Sequence, residues 1–364
     1  MGFCASSVAQ TPITTYYDSL HSIVKEKYFI LEQDSNRVDG NYIKYFEDGN
    51  TAITGRFIDG KKAGIFTEFH AAGTIQREQE YVDNLRHGAV AIYDEKGSLL
   101  QSGRFVKDTL VDKLVVYHDN GKIKSESIFE KGQPEGLVKE YFPSGNIKQE
   151  IYYKGGKPNG INNLYYENGK LQNEGNYKDG ILHGFFKTYH PNGELETESN
   201  NQHGKKSGTF KTYDADGALL IEGNYESGAL HGINKSYYAA GNPKHSFRYE
   251  KGKKAGENIS YYPSGTVKEK SVYVNQEKDR KIKKYYSNSL MESELEYKND
   301  LASGTWSYYY PNGKIKKTEV YVNGKLHGMR ATYHDNGKVK LEETFLNDLP
   351  VDQVKEFYDS GALK

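Results

Sequence analysis

The sequence predicts an all-β fold, an elongated single sheet in which 24-residue β-hairpin repeats follow one another as an antiparallel meander. Three observations predict it: a constant 24-residue period, an aromatic residue once in every period, and two turn signals per period. The composition agrees, because only 36% of the residues are hydrophobic while Tyr (32) and Gly (38) are abundant. Compact domains average roughly 45–50% apolar residues, so an ordinary globular core is not expected.

The period is read by counting from Gly40 as position 0. Steps of 24 residues lead to Gly64, Gly88 and the first residue of every later repeat, which is usually glycine. No insertion or deletion interrupts this count. The register continues to Lys364, which gives thirteen full repeats and half of a fourteenth, or about 13.5. Position 5 is aromatic in all fourteen, position 9 is Gly in all but one, and position 17 is aromatic in twelve of thirteen. Such periodicity is typical of arrays whose repeats contact mainly their neighbours.

Two turns divide each repeat into strands. At positions 7–9 the sequence reads Pro143-Ser-Gly145 and its equivalents, which suits a type I turn closed by a left-handed glycine. At positions 19–20 it reads Asp179-Gly180 and its equivalents, a two-residue hairpin signal. Each repeat is therefore predicted to run strand, tight turn, strand, tight turn.

The turn length also predicts which side chains share a face. A three-residue loop pairs position 5 with position 11, and simple alternation then puts positions 5, 11, 13, 15 and 17 on one side. In one repeat these are Tyr141, Ile147, Gln149, Ile151 and Tyr153. The same counting places position 23 opposite position 15, for example His231 across from Gly223. We therefore expect one aromatic face and one charged face.

The chain divides into three parts on this interpretation. Residues 1–9 resemble the end of a secretory signal with cleavage after Ala9, residues 10–39 form an N-terminal cap, and residues 40–364 form the array. A signal places the mature protein outside the cytoplasm, in the periplasm, on the outer surface or secreted. The alternative is a myristoylation pattern with Cys4 as a second acylation site, or a cytoplasmic protein without a leader.

Composition and motifs exclude several function classes. The 49 Lys and Arg balance the 49 Asp and Glu, which argues against nucleic-acid binding. No apolar run is long enough for a transmembrane segment, and the single Cys excludes a disulfide framework. No nucleotide, nucleophile-elbow or metal-ligand motif is present, so we predict no enzyme, no catalytic residues, no cofactor and no metal. Eight of the eleven His recur at repeat positions 6 and 23, which favours packing over a ladder of metal ligands.

The aromatic face is the first candidate for partner binding, because Tyr is enriched where one protein contacts another. The tyrosines selected are at position 5: Tyr141, Tyr165, Tyr189, Tyr213, Tyr237 and Tyr261. A secondary basic patch lies where residues 276–300 lose the repeat glycines: Lys278, Arg280, Lys281, Lys283 and Lys284. This patch is either a docking or anion site, or a solvated basic strand.

The repeat resembles a known family. The segments Tyr309-Tyr-Pro-Asn-Gly-Lys314 and Tyr321-Val-Asn-Gly-Lys-Leu-His-Gly328 are similar to the MORN repeat. The standard unit has Gly-x-Gly where this sequence has Gly184-Phe-Phe, and that departure, with the 24-residue spacing, is similar to the bacterial MORN-variant family. The resemblance covers Gly40 to Lys364. It implies a scaffold without catalytic residues, and members of the variant family are often described as antitoxin-like components of toxin–antitoxin systems.

Three hypotheses for function follow. The first is a non-enzymatic repeat scaffold that binds a protein partner along its tyrosine-lined face. The second is the antitoxin-like role that the resemblance implies, which requires a cytoplasmic partner. The third is carbohydrate or cell-envelope binding by stacking on the tyrosines.

Overall fold

The computed structural model describes residues 9–32 and 34–364. By contacts the chain forms two units, Met1–Ile181 and Leu182–Lys364. In each unit the described residues form an antiparallel β-meander of hairpins, so the predicted all-β fold class is confirmed. Apart from Ala9, the predicted leader lies outside the described residues. No helix in the described ranges has the length and hydrophobicity needed to cross a membrane.

The strands of the first unit follow the 24-residue period. They are Gln10–Tyr16 (β1), Val24–Leu31 (β2), Asp34–Val38 (β3), Gly40–Tyr45 (β4), Thr51–Ile58 (β5), Lys61–Lys62 (β6), Gly64–Phe69 (β7), Ile75–Val82 (β8), Leu85–Tyr93 (β9), Leu99–Val106 (β10), Thr109–Tyr117 (β11), Ile123–Glu130 (β12), Gln133–Pro134 (β13), Gly136–Tyr141 (β14), Ile147–Lys154 (β15), Lys157–Pro158 (β16), Gly160–Tyr165 (β17) and Leu171–Lys178 (β18).

The next strand begins at the last residue of the first unit, and the second unit continues the same pattern. Its strands are Ile181–Tyr189 (β19), Leu195–Gln202 (β20), Lys205–Tyr213 (β21), Leu219–Glu226 (β22), Ala229–Tyr237 (β23), Pro243–Glu250 (β24), Lys253–Lys254 (β25), Gly256–Tyr261 (β26), Val267–Val274 (β27), Asp279–Tyr285 (β28), Met291–Lys298 (β29), Leu301–Tyr309 (β30), Ile315–Val322 (β31), Lys325–Leu326 (β32), Gly328–Tyr333 (β33), Val339–Leu346 (β34), Leu349–Pro350 (β35) and Lys355–Glu356 (β36). A short 3-10 turn covers Asn275–Glu277.

The turn at positions 7–9 has the predicted geometry. In the hairpin β14–β15, the Gly145 N–H donates to the Phe142 carbonyl at 2.8 Å, and the Phe142 N–H donates to the Asn146 carbonyl at 2.9 Å. Gly145 has φ +97°, the left-handed conformation that favours glycine. Tyr141 then lies directly opposite Ile147, as the loop length predicts.

The register shifts immediately after that pair. Glu140 lies opposite Gln149, so Lys148 at position 12 is an unpaired bulge. The same shift follows the turn in each of the other full hairpins. Positions 1, 3 and 5 therefore share a side with 14 and 16, which we call the tyrosine face. Positions 0, 2 and 4 share the other side with 13, 15 and 17, which we call the core face.

The predicted single aromatic face is therefore wrong. Tyr141 at position 5 does not share a face with Gln149, Ile151 and Tyr153, because the bulged residue moves every later side chain to the opposite side. The two aromatic columns, at positions 5 and 17, lie on opposite faces of each hairpin.

A second irregularity lies where consecutive repeats pair. In β22–β23, Glu222 lies opposite Lys235 and Asn224 lies opposite His231, so Gly223 faces three residues of the next strand. The prediction that His231 lies across from Gly223 is wrong for this reason. Gly232 opens this wide bulge at φ +70°, which explains why position 0 is usually glycine.

An amide at position 2 pairs with the backbone at this bulge. Asn234 Oδ1 accepts from the Asn224 N–H at 3.0 Å, and its Nδ2 donates to the carbonyls of His231 and Gly232 at 3.3 and 3.2 Å. Asn258 makes the same three contacts one repeat later. Because buried backbone groups must find partners, this side chain compensates for the ladder bonds that the bulge removes.

Residues 267–285 lack this bulge. Position 0 is Arg280, and β27 pairs with β28 without a break, with Tyr273 opposite Arg280 and Val274 opposite Asp279. The two residues that the bulge normally takes up enter the turn instead. That turn contains the 3-10 segment Asn275–Glu277, whose three residues all have positive φ.

Buried side chains concentrate on the core face at positions 2 and 15. Phe66, Val90 and Asn258 at position 2 are 2%, 3% and 1% exposed, and Gln79 at position 15 is 1% exposed. Rings at positions 2 and 17 alternate along this face. Phe66 stands edge-on between Phe57 and Tyr81 at centroid distances of 5.5 and 5.4 Å, and Trp306 lies tilted between Tyr297 and Tyr321.

The residues before the array extend the first unit's meander. Tyr28–Leu31 belongs to β2, which pairs with β4 at Glu26 opposite Lys44. The Tyr42 hydroxyl donates to Glu26 at 3.0 Å, and the Tyr17 hydroxyl donates to the Tyr45 carbonyl at 2.8 Å.

The contact between position 15 and the next position 2 yields a stability prediction. A Cβ on Gly55 would lie 2.4–2.7 Å from three ring atoms of Phe66. We expect Gly55→Ala to destabilise the protein by about 1–3 kcal/mol, the usual cost of overpacking, as a lower urea midpoint. In a Phe66→Ala background the same change should cost much less, and an equal cost in both backgrounds would contradict the contact.

Candidate binding faces

Tyrosines at position 5 end the first strand of most hairpins, and several of their hydroxyls donate to glutamates at position 14 of the preceding hairpin. In the first unit the Tyr165 hydroxyl donates to Glu150 at 2.8 Å, and in the second the Tyr237 hydroxyl donates to Glu222 at 2.7 Å. Longer bonds of this kind are Tyr93–Glu78, Tyr141–Glu126 and Tyr213–Glu198. The tyrosines are half-buried.

Lysines complete these contacts on the tyrosine face. Lys139 Nζ lies 3.3 Å from Glu150, and Lys235 Nζ lies 3.6 Å from Glu222. Burial raises the pKa of Tyr237 to about 12, helped by its bond to Glu222. Burial alone would raise the pKa of Glu150, but the hydrogen bonds from Tyr165 and Lys139 outweigh it, and the pKa is lowered. The Tyr237 phenol therefore remains a protonated donor and the Glu150 carboxylate an ionised acceptor at neutral pH.

The remaining predicted tyrosines occupy the same strand position. Tyr189 ends β19 and Tyr261 ends β26, and both are half-buried. The Tyr261 carbonyl accepts the Tyr238 hydroxyl at 2.8 Å. All six predicted tyrosines therefore lie at equivalent places in their hairpins, and all six are half-buried.

Side chains at position 6 link each hairpin tip to the next. His118 Nε2 lies 3.0 Å from the Tyr141 carbonyl, and His70, His190 and His334 make equivalent contacts. Tyr262 and Tyr310 donate to the same carbonyl position through their hydroxyls. These four histidines therefore have a structural contact. Across residues 9–32 and 34–364, no three His, Cys, Asp or Glu side chains come together as a metal site.

The structure adds an exposed apolar row that the sequence prediction missed. In the first unit Ile128, Leu137, Tyr152 and Ile161, at positions 16 and 1, are 51%, 40%, 47% and 53% exposed. Leu137 lies directly opposite Tyr152, and a groove of about 390 Å³ separates Leu137 from Ile128. Lys113 contributes to the same groove.

The signal for this row was present in the sequence. Position 1 is apolar in several repeats, and those side chains are exposed: Ile65, Leu137, Ile161, Ile233 and Met329. Simple alternation already placed position 1 with position 5, but it placed position 16 on the opposite face. Only the bulge brings positions 1, 5 and 16 together.

The predicted basic patch is largely neutralised by neighbouring carboxylates. Arg280 lies 2.7 Å from Asp300 and stacks on the Tyr297 ring at 4.1 Å. Lys281 and Lys283 lie 3.3 and 3.2 Å from the carboxylates of Glu296 and Glu294. Lys284 faces Glu269 across the strand pair, and the Lys278 N–H donates to the Asn275 carbonyl.

Repeated hairpins with the same contacts in each copy define this chain as a β-repeat scaffold. The MORN repeat variant family matches eight of its repeats, at residues 113–131, 134–154, 158–179, 182–200, 206–227, 254–275, 302–323 and 326–347. The chain is a MORN-variant repeat protein. A search of curated proteins finds no match to the sequence.

Similarity to solved structures is low. A Tc holotoxin pore from Photorhabdus luminescens with a mutant TccC3 is 14% identical with a TM-score of 0.17, covering 98% of this chain and 23% of that chain. Crystal structures of TcdB2-TccC3-TEV and TcdB2-TccC3 are each 13% identical, with TM-scores of 0.17 and 0.13. They cover 98% of this chain and 22% and 24% of theirs. The chain thus spans about a quarter of the length of these proteins.

The buried Tyr–Glu bond predicts a specific loss of stability at high pH. Since the pKa of Tyr237 is raised from 10.0 to about 12 in the folded state, its contribution is complete below pH 10.0 and is lost as the pH rises toward 12. A tyrosinate absorbance titration, taken as the difference between wild type and Tyr237→Phe, should show this midpoint. Glu222→Gln should lower the midpoint, and a wild-type midpoint at the ordinary value would contradict the bond.

Proposed function

We propose that this protein is a non-enzymatic repeat scaffold that binds a protein partner on its tyrosine face. The observation that carries the proposal is the exposed apolar row of the first unit, Ile128, Leu137, Tyr152 and Ile161. Exposed apolar groups arranged side by side on a soluble surface mark interaction sites more often than isolated ones do.

The surroundings of the row suit a protein surface. A groove between Ile128 and Leu137 offers a place for a partner side chain, and the Lys113–Glu126 ion pair lines it as a polar rim. Interfaces combine an apolar centre with such a rim and are enriched in Tyr. Because the carboxylates and phenols are engaged in the same structural bonds in many repeats, we assign them a structural and recognition role.

The location of the partner is part of the proposal. The leader-like pattern of residues 1–9 favours an extracytoplasmic partner, whereas the antitoxin-like alternative needs a cytoplasmic toxin. Carbohydrate or cell-envelope binding is the third possibility. One crosslinking experiment distinguishes the three.

The experiment places a photo-crosslinking amino acid at Leu137 or Ile161 in the native host. We expect both positions to capture the same protein, recovered from the extracytoplasmic fraction and identified by mass spectrometry. The matched control carries the crosslinker at Gln149, on the core face of the same hairpin. Capture of the same protein from Gln149 with equal yield, or of no protein from either test position, would contradict the proposal.

Substitution supplies an independent measurement once that partner is known. Leu137→Gln with Ile161→Gln should weaken its binding about tenfold or more, the size expected for residues central to an interface. An adduct with a cytoplasmic protein would instead favour the antitoxin-like role. Retention on a polysaccharide column without any protein adduct would favour the carbohydrate alternative.

A further inference from the structure

Positive charge is concentrated in one part of the second unit. Residues 243–285 contain twelve Lys and Arg but only five Asp and Glu, whereas the whole chain has 49 of each. The pKa of His245 is lowered, first by burial and then by Lys244, Lys254 and Lys268, which is the effect of a positive local field. The excess positive charge of residues 243–285 therefore affects a side chain in the folded structure, and the acidic residues of the same segment do not cancel it.

The excess charge lies beside an open groove of about 590 Å³, which we call the lysine groove. It is lined by Glu250, Lys251, Lys253, Lys254, Ala255, Gly256, Tyr273, Val274, Asn275 and Gln276. Lys253 Nζ lies 3.4 Å from the neutral Gln276 Oε1, and Lys254 Nζ lies 4.2 Å from the centre of the Phe247 ring. In the part of the chain that the structure describes, Lys251, Lys253 and Lys254 have no carboxylate within ion-pair distance.

Neighbouring cations differ in this respect. Lys270, Arg280, Lys281 and Lys283 each lie 2.7–3.3 Å from a carboxylate. Three lysines without a carboxylate at ion-pair distance therefore lie together on the turn Lys251–Lys254, whereas three of the four cations of the following basic strand β28 are paired.

The irregular turn builds the other wall of the lysine groove. Asn275, Gln276 and Glu277 have φ of +47°, +56° and +77°, whereas the corresponding turns of other repeats have two residues at positive φ, and the second is often glycine, as in Asn323-Gly324. Three successive left-handed residues without glycine are strained, and such a conformation persists only when side chains hold it. Here the Glu277 carboxylate accepts the Lys254 N–H and Gln276 accepts from Lys253.

We propose that the lysine groove binds an acidic peptide segment of a protein, with carboxylates at Lys251 and Lys253 and an apolar side chain against Val274. Val274 is 56% exposed and lines the groove beside Tyr273. Glu250 and Glu277 stand next to the lysines. These two carboxylates would repel a nucleic-acid backbone, which carries a phosphate charge on every nucleotide. A peptide can instead place neutral residues opposite them.

The test measures fluorescence anisotropy of a labelled twelve-residue peptide rich in Glu with two Leu, added to the full chain. We expect saturable binding that weakens between about 50 and about 200 mM NaCl, because salt screens exposed charges. Lys251→Gln with Lys253→Gln should weaken it about tenfold. The isosteric peptide with Gln in place of Glu should bind at least as weakly.

A closely matched control exists in the first unit. Glu130-Lys131-Gly132 occupies the repeat positions of Glu250-Lys251-Gly252, and Lys131 has φ +51° against +49° for Lys251. Gln133 stands at the position of Lys253 in that turn, so the second control lysine is Lys157, which holds this position one repeat later. Lys131→Gln with Lys157→Gln removes the same charge and should leave binding unchanged. Equal losses in the two double variants, or no saturable binding to wild type, would overturn the proposal.

A third variant tests the wall without removing charge. Gln276→Gly gives this repeat the usual turn glycine and should raise or preserve the urea midpoint while weakening peptide binding. Retained peptide affinity in Gln276→Gly would show that the groove is not the site. Tighter binding of single-stranded DNA or of phosphatidylserine vesicles, lost in Lys251→Gln with Lys253→Gln, would overturn the assignment to a peptide.

Discussion

One bulged residue per hairpin determines which side chains act together in this protein. Because strand side chains alternate, an extra residue at position 12 exchanges the two faces of the second strand. It brings Tyr141 onto the side of Glu150 and sends Tyr153 to the other side. Without it, Tyr141 would share a side with positions 13 and 15 of its own hairpin, and the tyrosines at position 5 of successive hairpins would lie on alternate sides of the sheet. The tyrosine face and the core face both follow from this single shift.

The core face shows how a sheet with few aliphatic residues is stabilised. Its buried side chains are as often amides as hydrocarbons, with Gln79 and Asn258 each 1% exposed. Gln79 and Asn258 are acceptable there because both amides bond to backbone groups beside the wide bulge, as Asn258 does with Arg248. Small residues at position 15 leave space for the large ones at position 2. The contact is between adjacent repeats, so each repeat contributes about half of its neighbour's core.

Local features of the fold were predictable from sequence, and the faces were not. Pro143 and Gly145 specify the hairpin turn through their own backbone preferences, so strand order and turn positions follow directly. Position 12, however, is Ala52, Leu100 or Lys148 in different repeats, and none of these residues marks a bulge. The pairing partners of the charged residues depend on that register.

The same limitation applied to the candidate sites. The predicted tyrosines occupy equivalent strand ends, but their hydroxyl bonds to glutamate could be seen only once the faces were known. Likewise, Lys283 is neutralised by Glu294 across β28 and β29, which the sequence showed only as a cluster of lysines. The exposed apolar row depended on positions 1 and 16 sharing a face.

Repetition has a consequence for recognition in this chain. A contact that recurs in many hairpins, such as Tyr–Glu or the link at position 6, is optimised for the fold and is the same everywhere, so it cannot distinguish one place from another. Specificity must therefore come from residues that depart from the repeat. Where Arg280 stands in place of glycine, the bulge is absent. The two residues that the bulge takes up in other repeats lengthen the turn at Asn275–Glu277 instead. That turn faces the lysines of the lysine groove, whose repeat positions elsewhere belong to ordinary hairpins. Loss of the glycine at position 0 is not sufficient by itself, because Asp112 keeps the bulge at φ +59°. The unbroken pairing at Arg280 is what converts a repeated turn into a wall of the lysine groove, and it connects the irregular register to the part of the second unit that is rich in positive charge.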